Sequence, residues 1–145
     1  MPKKLFSYAA HFHDDFQDSA GYGWESAAPD FNWSTLVANK DIEINRLHGN
    51  YEKILKSNNV TIFEYRTRIT GPNSISVDNQ TVTAKHILLA VGGWPRVPQY
   101  SGHEYAITSN EVFHFDKLPK AIVVQGGGYI ALEFASIFAR LVVET

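Results

Sequence analysis

The sequence has no cysteine among its 145 residues. Within these residues that excludes a disulfide, a thiolate nucleophile and a cysteine metal site. Basic charge is not in excess: 13 Lys and Arg stand against 15 Asp and Glu, for a formal net charge of -2. The electrostatic footprint of a nucleic-acid binder is therefore missing. No apolar run approaches the ~20 residues needed to span a membrane. The opening "MPKKLFSYAAHFHDDF" carries Lys3 and Lys4 but then mixes polar and apolar residues, without the apolar core of a signal peptide. There is no internal repeat and no low-complexity tract. A soluble, intracellular chain with no nucleic-acid and no membrane partner is the expectation.

What is present suffices for one core: 44% of residues are hydrophobic and 13% aromatic, in a length usual for a single domain. Pro2 suits the first turn of a helix, where its missing N–H costs nothing. Leu5, Ala9, Phe12 and Phe16 follow at helical spacing, and Gly21 and Gly23 end that helix. "ESAAPDFNW" reads as a loop. Ser34 reads as the cap of a second helix with the stripe Leu36, Ile44, Leu47, Tyr51, Ile54 and Leu55, stopping at "SNN" (57–59). "VTIFEYRTRI" (60–69) is β-branched and aromatic and predicts a strand. "GPN" (71–73) is a turn, and "SISV" and "TVTA" flank a hairpin turn at Asp78–Asn79–Gln80. "HILLAV" (86–91) is nearly all apolar, as expected of a strand buried on both faces, and "GGWPRVP" breaks it. Residues 99–120 read as irregular, with a short helix near Ser109–Phe113. "AIVVQ" (121–125) predicts a second buried strand and 128–142 a helix. The result is an α/β arrangement with an antiparallel insert.

Gly126, Gly128 and Ala131 spell G-x-G-x-x-A between that strand and that helix. In a dinucleotide site the first glycine permits the tight turn. The second lets the backbone approach a pyrophosphate, and the small third residue lets helix and strand pack closely. The phosphates then rest at the positive end of the helix. The same spacing also serves a plain strand–helix turn. The residue that reads the ribose 2′-position is expected ~20 residues on, and Glu144 stands slightly early for it. NAD and NADP are therefore not distinguished. Histidines 11, 13, 48, 86, 103 and 114 form no metal-binding spacing, so no metal is expected.

"MPKKL", "AGYGW", "HILLAVGGWPRVP" and "VVQGGGYIALEFA" stand in the order and spacing of glutathione reductases, within the two-dinucleotide-domain flavoprotein disulfide reductases. The resemblance covers essentially the whole chain, and "PKK" and "AGYGW" favour glutathione reductase over dihydrolipoamide dehydrogenase. It implies a partial FAD-binding domain with an antiparallel β-meander over 1–118. Residues 119–145 would be the first strand and helix of a Rossmann-type NAD(P)H domain. The family's first G-x-G-x-x-G and its C-x-x-x-x-C pair would precede residue 1, and its catalytic His–Glu pair belongs to a C-terminal interface domain. Met1 stands where family members usually have valine, so a GTG codon read as a start would produce it. An internal fragment is the expectation.

By the same resemblance, Lys3 lies beside the reactive edge of the flavin and Glu133 is its ion-pair partner. Tyr129 covers the flavin and swings aside for the nicotinamide. Gly127 and Ile130 contact NADPH beside the G-x-G-x-x-A residues. Thr67 meets the FAD adenine through its backbone, and Tyr51 touches glutathione. From the residues alone, Lys3 reads as a solvated terminal lysine, Thr67 as a strand residue, and Tyr129 and Tyr51 as packing. Glu133, on an apolar helix face, needs a partner in any reading. "LLAVGG" corresponds to the second FAD signature: Ala90 and Gly92 match, while Val91 replaces a threonine whose hydrogen bond is worth roughly 0.5–1.5 kcal/mol.

The implied activity is NADPH-dependent reduction of glutathione disulfide through FAD by a cytoplasmic homodimer serving redox homeostasis. The missing cysteines leave no catalytic residue here and predict that the chain alone is inactive. Two other expectations follow: a non-catalytic piece with weak nucleotide binding, or a piece that binds a full-length reductase.

Overall fold

A computed structural model describes residues 2–25 and 29–145. Part of the expected "ESAAPDFNW" loop, 26–28, lies outside the described residues. The chain divides into two units, Met1–Leu47 with Pro95–Thr145, and His48–Trp94.

In the first unit, helix α1 runs Pro2–Ser19 and tightens into a 3₁₀ turn, Ala20–Tyr22. Gly23 stops it at φ +85°, a left-handed conformation that favours glycine. The buried residues of α1 are Phe6 and Ala10, not the expected stripe; Phe12 is 60% and Phe16 45% exposed. One residue is about 100° of helix rotation. The helix is apolar on adjacent faces, and its tertiary partners select the Phe6 side.

Helix α2 spans Trp33–Ser57. Its cap is Asn32, whose Oδ1 accepts the Thr35 N–H at 2.8 Å, so Ser34 falls inside the first turn instead of before it. Asparagine is among the strongest N-caps. Only Trp33 and Lys40 are buried, with Leu36 and Val37 packed against the core. Tyr51, Ile54 and Leu55, at the far end of the expected stripe, are exposed.

The core of this unit is aromatic. Phe6 meets Trp33 edge-on at 5.0 Å and Phe113 at 5.5 Å. Phe113 meets Phe134 at 5.5 Å, and Phe134 stacks on Phe138 at 6.3 Å. Phe134 and Phe138 belong to helix α4, introduced below. The buried rings Phe6, Phe134 and Phe138 each contribute about 1.5–3 kcal/mol by burial. Two side chains of α2 grip the backbone between the rings. Trp33 Nε1 donates to Phe115 O at 2.8 Å and Lys40 Nζ to Phe113 O at 2.7 Å. The short helix α3, Ser109–Val112, opens with a capping box: the Thr108 hydroxyl accepts from the Asn110 N–H, and Glu111 accepts from the Thr108 N–H and hydroxyl. The Thr108 hydroxyl, then its amide, hold the Glu111 carboxyl below its usual range. That contribution is present above the ordinary Glu range and is lost as pH falls through the lowered value.

Helix α4, Tyr129–Arg140, buries Phe134, Ile137 and Phe138. Its end is a Schellman stop: Val143 N–H bonds Phe138 O and Val142 N–H bonds Ala139 O. The left-handed residue is Val142, at φ +63°, a position where a β-branched side chain is strained. Beyond it, Glu144 N–H bonds Lys120 O and Ile122 N–H bonds Glu144 O, a parallel bridge between Ala121 and Glu144. The predicted strands 121–125 and 86–91 do not otherwise form. Val123 is 95% and Leu88 89% exposed. A strand exists only where a neighbour meets its N–H and C=O groups, and among the described residues these segments have none beyond that bridge.

The second unit holds a three-stranded antiparallel sheet of β1 (Thr67–Gly71), β2 (Ser74–Val77) and β3 (Gln80–Thr83), in that order. The predicted strand 60–69 is thus realised only at its end. Register pairs Ile69 with Ile75 and Ile75 with Val82, and Arg68 with Ser76 and Ser76 with Thr81. The period of two separates an apolar face from a polar one. The hairpin turn is Asp78–Asn79, with Asp78 at φ +52° and Gln80 already in β3. Asn73 Nδ2 donates to Ala84 O and Lys85 O, pinning the exit from β3.

Two measurements check this description. Val142→Gly removes a left-handed penalty of roughly 1–2 kcal/mol and returns about 0.5–1 kcal/mol in backbone entropy. Because Val142 is 77% exposed, little burial is lost, and a net gain of about 0.5–1 kcal/mol is expected in urea denaturation. An unchanged or lower midpoint contradicts the strained stop. In hydrogen exchange, the Ile122 amide should be slower than those of Val123, Val124 and Gln125; equal protection of all four would mean a complete strand.

Candidate functional site

The turn into α4 is built on glycine. Gly126 sits at φ +126°, so its backbone demands glycine, and a Cβ there would lie 3.6 Å from Ala131 Cβ. Any side chain on the first motif residue would thus rest against the third. Positions for a Cβ on Gly127 and Gly128 meet nothing within 4 Å, which leaves open space before the turn. Gly128 caps the helix without a side chain. The first helical bond runs from Leu132 N–H to Gly128 O, leaving the amides of Tyr129, Ile130 and Ala131 unused by the helix. Amides at the positive end of a helix dipole, behind an open glycine turn, can receive an anion.

Beside this turn, α1 and α4 bring three residues together. Lys3 Nζ forms an ion pair with Glu133 and also lies 4.8 Å from the Tyr129 ring centroid. Tyr129 and Glu133 are four apart and share a helix face. Lys3 is 24% and Glu133 47% exposed, so water screens the pair. Further along, Arg140 Nε meets Asp14 Oδ2 at 2.6 Å and its Nη1 donates to Ser136 Oγ at 2.6 Å. Lys3 with Glu133 and Asp14 with Arg140 make the two helices run in the same sense. Sequence reasoning missed the Asp14–Arg140 pair, because nothing local links residues so far apart.

Ile130 is on the first turn of α4, 41% exposed. Glu144 bridges to Ala121, five residues before Gly126. In the second unit, Thr67 opens β1, Tyr51 is exposed on α2, and Ala90 and Gly92 lie in the unpaired stretch, with Gly92 at φ +72°. Arg66, Thr67, Arg68, Thr70 and Ser76 line a shallow concavity on the meander; the two arginines were not anticipated. Among the described residues no group of three or more His, Cys, Asp or Glu is placed to hold a metal, and no helix is long and apolar enough to cross a membrane.

A double-mutant cycle of Lys3→Met and Glu133→Gln checks the pair. Partly exposed pairs are worth about 0.2–1 kcal/mol, and a coupling in that range is expected at low salt, shrinking in 1 M salt. A coupling of zero at low salt contradicts a populated pair.

The pyridine nucleotide-disulphide oxidoreductase pattern matches residues 1–145. The chain is 46% identical over 141 residues to a glutathione reductase of Burkholderia cepacia, covering 97% of this chain and 31% of that protein. It is 44% identical over 142 residues to the chloroplastic/mitochondrial glutathione reductase of Pisum sativum, covering 97% and 26%. It is 34% identical over 150 residues to a trypanothione reductase of Trypanosoma congolense, covering 95% and 30%. The chain thus spans less than a third of the length of these relatives. Its helices and three-stranded antiparallel sheet are consistent with an α/β domain of FAD-binding type. The chain belongs to the pyridine nucleotide-disulphide oxidoreductase family.

Proposed function

We propose that these residues serve an NADPH-dependent glutathione-disulfide reductase that works through FAD. The observation that carries this reading is the meeting of Lys3 with Glu133 and Tyr129 beside the glycine turn. In it, residues 1–118 are part of the FAD-binding domain, with the β-meander as its insert. Residues 119–145 begin the NADPH domain as a Rossmann-type strand and helix. Glutathione disulfide as substrate, a homodimeric enzyme and a cytoplasmic role in redox homeostasis belong to the same reading. Its relatives of that name support it.

The residues of the glycine turn fit a dinucleotide. Gly126, Gly127 and Gly128, with the unused amides of Tyr129, Ile130 and Ala131, suit the pyrophosphate of NADPH. In the first unit Lys3 would lie at the flavin edge; taken separately, the second unit carries Thr67, Ala90 and Gly92 as its FAD positions and Tyr51 as its glutathione position. When bound, FAD relays two electrons from NADPH to a disulfide. Lys3 would supply a positive charge able to stabilise negative charge on a bound flavin. Glu133 orients that ammonium, because a carboxylate four residues after Tyr129 on the same helix face restrains the lysine between them. The Tyr129 ring, 73% exposed, would cover the flavin edge and yield it to a nicotinamide.

No thiol is available within these residues, so the 145-residue chain should oxidise no NADPH in response to glutathione disulfide, even with added FAD. A rate above the protein-free control would overturn the division of labour. In a titration of the ¹⁵N-labelled chain with NADPH, the amides from Gly126 to Ala131 should shift first. Shifts confined to other residues would remove the nucleotide from this turn.

A further inference from the structure

Lys40 is the one buried charged side chain among the described residues, at 3% exposure, and the mechanism above does not use it. Lysine is almost never so buried unless paired. Its Nζ donates to Phe113 O at 2.7 Å and lies 2.7 Å from Asp41 Oδ1. Trp33, seven residues earlier and so on the same helix face, donates to Phe115 O. Two side chains of α2 therefore strap down 113–115.

The ring on that strap is placed between the helices that carry the ion pair. Phe113 lies 5.5 Å from Phe6 and 5.5 Å from Phe134. Phe6 follows Lys3 by three residues, nearly one turn of α1. Phe134 is the residue after Glu133. Close-packed interiors transmit small shifts because they hold no slack. A displacement of the Phe113 backbone is thus passed to both helices at the level of Lys3 and Glu133.

We propose that Lys40 is a positioning residue for the Lys3–Glu133–Tyr129 cluster, acting through Phe113. The functional weight of that cluster rests on the reading above; the coupling itself does not. An apolar side chain in place of Lys40 could fill the same volume but could not donate to Phe113 O. The partners of Lys40 Nζ are Phe113 O and Asp41, neither of them in the cluster, which separates its role from that of Glu133.

The test reads the cluster without any cofactor. In the native chain the ε-methylene protons of Lys3 should be displaced upfield by the Tyr129 ring current, and Tyr129→Leu identifies that displacement by abolishing it. Lys40→Met should reduce it by at least half. Lys40→Gln, which stays polar but stops short of Phe113 O, should do the same if Lys40→Met does not fold. Leu141→Ala, a core truncation at the far end of α4, should lower stability while leaving the displacement in place. An unchanged displacement in the Lys40 variants, or an equal loss in Leu141→Ala, overturns the proposal. Either result leaves the nucleotide titration standing, and a failed titration leaves the coupling standing.

Discussion

Phe113 between Phe6 and Phe134 is the contact on which the first unit depends. It joins a helix at the start of the chain to one near its end, and magnitudes show which interaction holds them. Burial of Phe6, Phe134 and Phe138, at 0%, 5% and 0% exposure, contributes roughly 1.5–3 kcal/mol each. The flanking pairs Lys3–Glu133 and Asp14–Arg140 are partly exposed and are worth at most about 1 kcal/mol each. Packing therefore positions the helices, and the ion pairs form where packing has brought their partners.

That order of causes shapes the site. A lysine ammonium on a flexible stem would ordinarily be solvated, and Lys3 instead lies against a carboxylate and an aromatic face because the rings behind it fix α1 on α4. The glycine turn is more local. Its left-handed Gly126, the nearby small Ala131 and its unused helix amides follow from neighbouring residues alone.

Local chemistry was accordingly the legible part of the fold. Pro2, Gly23 and the 57–59 stop bound the helices close to where they were expected, and the "SISV" and "TVTA" runs on either side of 78–80 marked the hairpin. The cap of α2 was misplaced by two residues because Asn32 and Ser34 are both competent and only geometry selects one. The strands 86–91 and 121–125 were over-read: apolar composition states a preference for burial, but pairing needs a neighbour that composition does not supply. The reverse holds for Val142, where the helix stop imposes a left-handed conformation on a residue that disfavours it.

The sequence by itself determined the family signature, the glycine turn, the positions of the helices and hairpin, and the absence of a thiol in these residues. Each depends on residues a few positions apart or on composition. Only the tertiary structure decided which face of α1 is buried, that Lys40 reaches Phe113 O, and that Arg140 pairs with Asp14. These depend on partners as much as 126 residues apart. No periodicity records such separations, because the energy that joins them arises only when aromatic surfaces from three helices and the 113–115 strap leave water together.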